Sequence, residues 1–491
     1  MAVSKRVVVI GGGLGGIAAA LRLAHLGCRV TLIERNERLG GKMNTWSDHG
    51  FTFDTGPSLI TMPWIFEELY AVAGERMSDH VSLRQVSPLT RYTYADGSTF
   101  DYTTDLPTWL DTVRALDPRD EDGFFRFMKL GADIYELSKA TFLRAYPTTP
   151  PNRESLRALR HFPVRGAWGN YHACVTEHFR SPYLRQLYDR YPTYVGSSPY
   201  LCPATFAIIP YLEFAYAGWY VNGGLYAVIE SLGPLLERAG VEIRTGVTVD
   251  RIDAPSGSVS SVRTSDGQTT DCDLVIMNGD TSCARGLLAG RHESSLRMED
   301  RSLSGLVMLV GVKKTLDSHV HHGVYFSEDY VDEFGQIFDQ RRFPSDPTVY
   351  VNMPSRTDRS RVPGEGETLF IMANSPANGD GGWTDSALSS ARDGIWNRLV
   401  QSGFPDLRSE IVCEKAVTPE TLSNRYLMPG GAIYGTHSHG FQKAFLRPCN
   451  KDRSIGGLYY VGGSTHPGGG TPMVIQSAKI TTELILKHET L

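Results

Sequence analysis

The chain has 491 residues, of which 41% are hydrophobic and 21% charged, with 50 glycines and 27 prolines, so a disordered chain and a stapled mini-protein are both excluded. The length leaves room for two or three domains with large apolar cores. A net charge of -5 argues against nucleic acid as a partner, and seven cysteines without CxxC spacing fit reduced thiols better than disulfides, zinc or iron–sulfur chemistry.

Met1 to Arg6 runs straight into an apolar strand without the h-region of a signal peptide, which predicts a cytoplasmic chain. Val7-Val8-Val9-Ile10 reads as a buried strand, Ile17 to Leu26 as an Ala/Leu-rich helix closed by Gly27, and Arg29 to Ile33 as a second, parallel strand. The segment from about Pro107 to Tyr191 has helical periodicity, interrupted at Pro147 to Pro151. Leu201 to Val221 is very apolar, but Pro203, Pro210, Glu213 and Gly218 make it a buried wall rather than a membrane span. From Val241 to Ile276, short strands linked by hairpins predict an antiparallel element beside the parallel sheet. Residues 300–415 mix strands (Gly305 to Val312, Thr368 to Met372) with a helix from Ser386 to Gln401.

Gly11-Gly12-Gly13-Leu14-Gly15-Gly16 places a GxGxxG turn between the first strand and its helix. Gly11 permits the tight turn, Gly13 lets backbone approach a pyrophosphate, Gly16 allows helix and strand to pack, and the helix N-terminus favours an anion. Glu34 closes the next strand, where its carboxylate can hold a ribose diol. Arg35, Gly40-Gly41-Lys42 and Gly50 to Pro57 follow; a second Gly-Gly pair with a basic residue suits the long FAD. No second fingerprint for a nicotinamide is present. Near the C-terminus, strand Leu458 to Val461 enters Gly462-Gly463, then Thr465-His466-Pro467 and a helix start at Pro472-Met473-Val474, a second anion-directed helix end that suits the flavin O2/N1 region.

With these blocks, and with Tyr194 to Pro199, Asn222-Gly223-Gly224, Thr418-Pro419 and Phe445-x-Arg447-Pro448, the chain resembles the bacterial phytoene desaturase family of FAD-dependent carotenoid desaturases and oxidases, in the flavin amine-oxidase-like superfamily, over nearly its whole length. Where that family often has glycine after the helix-start proline, this chain has Met473. The resemblance implies an α/β fold: a Rossmann-like FAD-binding domain of glutathione-reductase type (1–75, 222–290, 445–491), an interleaved mixed-sheet substrate domain (76–105, 195–221, 291–444) and a helical membrane-facing region (106–194). It further implies FAD contacts at Gly11, Gly13, Gly15, Gly16, Glu34, Arg35, Gly40, Gly41, Lys42, Thr55, Gly56, Pro57, Gly462, Gly463, Pro472, Met473 and Val474, with Val249 packing near adenine.

The implied activity is insertion of conjugated double bonds into a C30 or C40 carotenoid precursor, with oxygen or a quinone as final electron acceptor. Terminal-methyl oxidation and cis–trans isomerisation are the enzymatic alternatives, and a prenyl-lipid carrier is the non-enzymatic one. Candidate catalytic residues are His466, the histidine inside the C-terminal block, and the charged pair Arg153-Glu154. An aromatic series from Tyr183 to Tyr226 can line a tunnel for a long polyene. The arginines 144, 153, 157, 160, 165, 180 and 185, interleaved with Leu156, Leu159, Phe162 and Trp168, read either as an interfacial helix on anionic lipid or as a solvated face.

Overall fold

The computed structural model describes residues 4–147, 149, 152–159, 166–379, 381 and 383–490. Strand β1 (Arg6–Ile10), helix α1 (Leu14–His25) and strand β2 (Arg29–Ile33) form the first parallel unit. Val7, Val8 and Val9 are at most 1% exposed, because the strand is covered on both faces; each buried side chain of this size contributes about 1.5–3 kcal/mol. Gly27 follows α1 with φ +87, the left-handed stop that a glycine accepts without strain.

The parallel sheet has five strands in the order Leu458–Tyr460, Leu274–Met277, β1, β2 and Glu242–Arg244. β1 connects to β2 on one side, whereas the strand on its other side arrives from more than two hundred residues away. This divergence opens a crevice at the carboxyl ends of the two middle strands, where α/β sheets bind ligands. The C-terminal helix Thr471–His488 packs against α1 and brings its own N-terminus to the same edge.

The expected antiparallel element is the three-stranded meander Val249–Asp253, Ser261–Thr264 and Thr269–Asp271. Glu242–Arg244 and Leu274–Met277, expected to share hairpins with it, instead belong to the parallel sheet. Backbone pairing decided this, since short apolar runs look the same in either setting. A larger sheet carries seven strands in the order Ile411–Val417, Ser304–Val312, Glu367–Ser375, Val349–Asn352, His322–Tyr325, Thr90–Thr93 and Thr99–Tyr102; only the His322/Thr90 pairing is parallel.

Among the described residues, five helices, Leu106–Leu116, Asp120–Ala140, Arg153–Leu159, Tyr171–His178 and Pro182–Asp189, occupy the segment expected to be helical. Asp120, fully buried, accepts hydrogen bonds from the Arg180 and Ser181 backbone N–H groups at 2.7 and 2.8 Å and so ties the longest helix to the last. No helix among the described residues is long and apolar enough to cross a membrane.

Two expectations need correction. The arginines do not share one interfacial helix: Arg144 lies in a turn, Arg153 and Arg157 on a seven-residue helix, Arg180 between helices, and Arg185 on Pro182–Asp189, while Arg160, Phe162 and Arg165 lie outside the described residues. Nor is Leu201 to Val221 a uniformly buried wall. Its helix Ile208–Tyr216 fully buries only Pro210 and Glu213, leaving Ile208, Ile209, Tyr211, Leu212, Phe214 and Tyr216 half-exposed. Packing placed the charged residue inside because its partners are there.

A buried carboxyl gives the fold a pH dependence. Glu333, 1% exposed, accepts hydrogen bonds from Ser327 and Thr348 through one oxygen while the other has no partner, and burial pushes its pKa up to about 7. Between about pH 4.5 and 7 the native state therefore holds a proton that the unfolded chain has lost, so stability falls as pH rises, by up to about 3 kcal/mol. Glu333→Gln is expected to flatten that slope and raise stability at pH 8; denaturation midpoints measured across this window check it, and an unchanged slope contradicts it.

Candidate active site

The glycine turn follows β1 because the chain must reverse within a few residues to start α1. Gly11 takes φ +98 and its N–H donates to Ile33 O at 2.8 Å. A Cβ at Gly16 would stand 2.1 Å from the Gly11 carbonyl oxygen, so helix and strand approach through glycine alone. Gly15 faces Asn278 and Gly462, where a Cβ would lie 2.7 Å from Asn278 Oδ1 and 3.4 Å from Gly462 Cα. Asn278, just past the Leu274–Met277 strand, donates through Nδ2 to Gly11 O (3.0 Å) and Gly13 O (3.4 Å), pinning the turn. The sequence reading missed it; the signal was an Asn-Gly at the end of an apolar strand.

The Gly40-Gly41 pair returns onto this turn. Gly40 N–H donates to Gly12 O at 2.8 Å, and a Cβ at Gly41 would lie 3.1 Å from Gly13 Cα. Gly56 in turn packs on the Lys42 carbonyl, 2.0 Å from where its Cβ would be, which carries Thr55 and Pro57 to the same place. Glu34 is 5% exposed: one oxygen accepts from Gly12 N–H (2.7 Å), the other from the Asn36 backbone (2.8 Å) and side chain (2.7 Å). A carboxylate has about four acceptor positions, so one is left for a ribose hydroxyl. Arg35 keeps a buried Nη1 without a partner beside this cradle. Val249 is buried with Val8, Ile33 and Ile252 in the layer between the parallel sheet and the meander. A backbone-lined cradle that side chains would fill, with a free carboxylate position and an orphaned guanidinium nitrogen, fits a dinucleotide.

At the C-terminal side, Gly462 would bring a Cβ within 2.9 Å of Asn278 Oδ1, and Gly463 within 3.4 Å of Gly469 Cα. Pro472 opens the C-terminal helix, and Met473 and Val474 pack partly buried on the main core. Two further residues shape this edge. Arg447, 4% exposed, donates to Tyr434 O (3.1 Å), Gly463 O (3.3 Å), Thr436 O (3.4 Å) and Ser438 Oγ (3.0 Å), and burial pulls its pKa down to about 10. Tyr434 lies against Gly469, where a Cβ would come within 2.3 Å of the ring. Lys42 donates to Ile433 O at 2.7 Å; burial lowers its pKa to about 8, opposed by Asp280.

Lys42, Tyr434, Tyr194 and Tyr350 are each half-buried. Leu59, Ile209, Leu212, Met473 and Val474 pack half-buried on the same core and supply apolar surface.

Of the three candidate catalytic residues, His466 is buried and Arg153 and Glu154 are exposed. The His466 ring is fully buried, edge-on to Phe142 (4.5 Å) and Tyr146 (5.4 Å), and burial holds its pKa down to about 4, so it is neutral at pH 7. Its carbonyl accepts from Asn450 and Ser477, each at 2.9 Å, while Gln476 donates to Leu143 O at 2.7 Å, so the 141–147 turn is sewn to the C-terminal helix. Arg153 is exposed, and Glu154, also exposed, pairs with Arg144 on the surface.

Comparison with known proteins agrees with this geometry. Residues 14–486 match the flavin-containing amine oxidoreductase family, and the chain belongs to it. It is similar to a 4,4'-diapolycopene oxygenase of Methylomonas sp (33% identical, covering 98% of each chain) and to a 1-hydroxycarotenoid 3,4-desaturase of Flavobacterium sp. (34% identical, covering 98% of this chain and 99% of the other). Among solved structures it shares its fold with an oxidoreductase from Methanosarcina mazei (TM-score 0.66, 18% identical, covering 97% of this chain and 100% of that one). The protein is an oxidoreductase whose cofactor is FAD.

Proposed function

We propose that the chain is a carotenoid desaturase, removing two hydrogens across a C–C bond of a long C30 or C40 polyene in carotenoid biosynthesis. The observation that carries this reading is the glycine cradle that fits a dinucleotide, taken with half-buried apolar surface at Leu59, Tyr194, Tyr350, Met473 and Val474 on the main core and with relatives that act on carotenoids. A polyene offers no handle along its length and must be held by shape and apolar contact. Bound FAD supplies two-electron oxidation. The chain's residues would do the rest: the turns at Gly11–Gly16 and Gly40–Gly41 would hold the dinucleotide, with Glu34 and Arg35 for its ribose and phosphate groups and the first turn of the C-terminal helix for the flavin, and the half-buried apolar side chains would hold the polyene away from water. Oxygen or a quinone would then take the electrons.

The expected domain partition fits this reading: all five parallel strands fall in 1–75, 222–290 and 445–491, as a Rossmann-like unit of glutathione-reductase type requires, and all seven strands of the larger sheet fall in 76–105 and 291–444. Such a substrate resides in a bilayer, and a surface patch suits one. Trp168 (47% exposed) and Phe441 (46%) lie with ring centres 5.0 Å apart and tilted by 34°, so two large apolar side chains share one exposed face.

Anaerobic mixing of the holoprotein with an acyclic polyene in detergent is expected to bleach the oxidised flavin band and lengthen the conjugation of the polyene without NAD(P)H. A persistent band with unchanged polyene overturns the desaturase reading, and chromatography separates a desaturated product from an oxygenated or isomerised one. With the polyene in anionic liposomes instead, Trp168→Glu with Phe441→Glu is expected to slow bleaching about tenfold while leaving the rate in detergent intact. Equal rates in liposomes remove the membrane patch alone.

A further inference from the structure

Strands Val349–Asn352 and Glu367–Ser375 of the seven-stranded sheet are joined by a connection whose short turn, Arg359–Arg361, reaches the segment that carries Gly56 and Pro57. This turn holds Gly223 from both sides: Asp358 Oδ2 accepts from its N–H at 2.7 Å, and Arg361 Nη1 donates to its carbonyl oxygen. A Cβ at Gly224, where φ is +93, would stand 2.4 Å from Arg361 Nη1, so the glycine leaves the space that the guanidinium occupies. The same guanidinium, 5% exposed, faces the carboxylate of Asp54, 7% exposed, with Nη2 3.5 Å from Oδ2. Burial raises the Asp54 pKa, opposed by the Arg361 charge and by the backbone N–H groups of Leu225 and Tyr226, where helix Tyr226–Arg238 begins. A carboxylate is favoured at such a helix start.

Two buried charges are a costly way to join segments. Arg361 Nε and Nη2 and Asp54 Oδ1 have no hydrogen-bond partner, and apolar side chains of the same volume would pack there without stripping water from two ions. What an ion pair supplies is registry, and both routes out of this one lead to the Gly40-Gly41-Lys42 return. Asp54 is followed by Thr55 and Gly56; Thr55 N–H donates to Asn44 O at 2.9 Å, and Gly56 packs on the Lys42 carbonyl. Tyr226, the first residue of the helix that Asp54 faces, donates its hydroxyl to Leu39 O at 3.3 Å, and its ring lies 3.1 Å from where a Cβ at Gly40 would be. The chain on either side of the return is therefore tied to Asp54, and Asp54 to the connection of the larger sheet.

We infer that Asp54 and Arg361 are positioning residues for the flavin: their ion pair, with the hold of Asp358 and Arg361 on Gly223, sets the Gly40-Gly41-Lys42 return of the dinucleotide cradle against the seven-stranded sheet. This rests on the assignment of the glycine turns to the dinucleotide, and adds to it the residues that keep those turns in register with the second sheet. Neither side chain need touch the cofactor. Their effect passes through the Lys42 carbonyl on one side and the Tyr226 ring on the other.

Titrating the apoprotein with FAD reads affinity, and visible circular dichroism at saturating FAD reads the surroundings of the bound flavin ring. Asp54→Asn, nearly isosteric and still an acceptor at the helix start, and Arg361→Gln are each expected to weaken FAD binding about tenfold, about 1.4 kcal/mol, and to change the dichroism. The double variant should also lose about tenfold rather than a hundredfold, because the two side chains act as one unit. Arg361→Lys, which keeps the charge, should lose only about threefold. A purely structural role would lower the thermal midpoint while leaving affinity and dichroism of the folded protein as in the wild type. Affinity within twofold of wild type and unchanged dichroism in Asp54→Asn overturn the inference whether or not Arg361→Gln folds, as does a hundredfold loss in the double variant. Gly13→Val, titrated alongside, separates the two readings. If it loses FAD while Asp54→Asn binds normally, the pair alone is overturned; if it binds normally while Asp54→Asn is weakened, the effect of the pair stands and the assignment of the first glycine turn falls.

Discussion

Gly13→Val is expected to yield a folded, colourless protein. At Gly13 the backbone already has φ -72 and ψ 171, an extended conformation that valine adopts readily, and a Cβ there meets no protein backbone closer than Gly41 Cα at 3.9 Å, with Asn278 Nδ2 at 3.2 Å. The backbone therefore accepts a Cβ with only a small shift of the Asn278 side chain, whereas a branched side chain there would occupy the place where a pyrophosphate would approach the turn. FAD affinity should fall at least about a hundredfold, roughly 2.7 kcal/mol, with the thermal midpoint of the apoprotein nearly unchanged. Gly16→Ala is the contrasting case: its Cβ would collide with the Gly11 carbonyl oxygen, so the turn itself must open and the apoprotein should be destabilised as well. Absorbance of the purified proteins and thermal unfolding after flavin removal distinguish the two. A Gly13→Val protein that retains stoichiometric flavin would show that the pyrophosphate lies elsewhere.

The second large effect is expected at Arg447. Four acceptors on two loops depend on this one buried guanidinium: the carbonyls of Tyr434, Thr436 and Gly463 and the hydroxyl of Ser438. Removing the donor while leaving the acceptors buried costs more than the hydrogen bonds themselves contributed, because desolvation of each acceptor is no longer offset. Arg447→Met should lose roughly 3 kcal/mol of stability and, if the C-terminal helix start holds the flavin as proposed, release flavin faster, since Arg447 bonds the Tyr434 and Gly463 carbonyls at that edge. Arg447→Lys should fall between, because an ammonium cannot span the same planar fan of acceptors. Thermal denaturation of the holoprotein and the rate of flavin loss on dilution measure both effects. A Met variant as stable as the wild type would mean that water replaces the guanidinium at this site.

The dinucleotide cradle was readable from the chain alone because it is local. A buried strand, a glycine turn, an Ala/Leu helix and an acidic residue at the next strand end follow one another within thirty residues, and backbone sterics allow few other arrangements of such a run. The Gly40-Gly41-Lys42 return and the Pro472 helix start carry the same kind of information: a small residue or a proline restricts its own backbone wherever it stands. The roles of Asn278, Tyr434 and Arg447 were not readable, although Arg447 stood inside a quoted block. Their contacts join residues from 9 to 267 positions apart, and an Asn or Arg gives no sign in sequence of which acceptor it will meet.

The same distinction of range accounts for the errors. An arginine-rich stretch has no periodicity of its own strong enough to assemble one helix, so tertiary packing distributed the side chains over turns and separate helices. By hydropathy, Ile208–Tyr216 is an apolar segment with one misplaced charge; in the fold, Tyr191 and Tyr194 hold that charge inside and the apolar residues flank it half-exposed. The sequence by itself determined the α/β class, the dinucleotide turn and thereby the flavin, because these depend on residues adjacent along the chain. Only the tertiary structure decided which buried polar groups meet, since the bonds of Arg190 and Glu213 to Tyr194, and of Ser58 and His322 to Tyr350, exist only once a loop, helices and the large sheet have packed together.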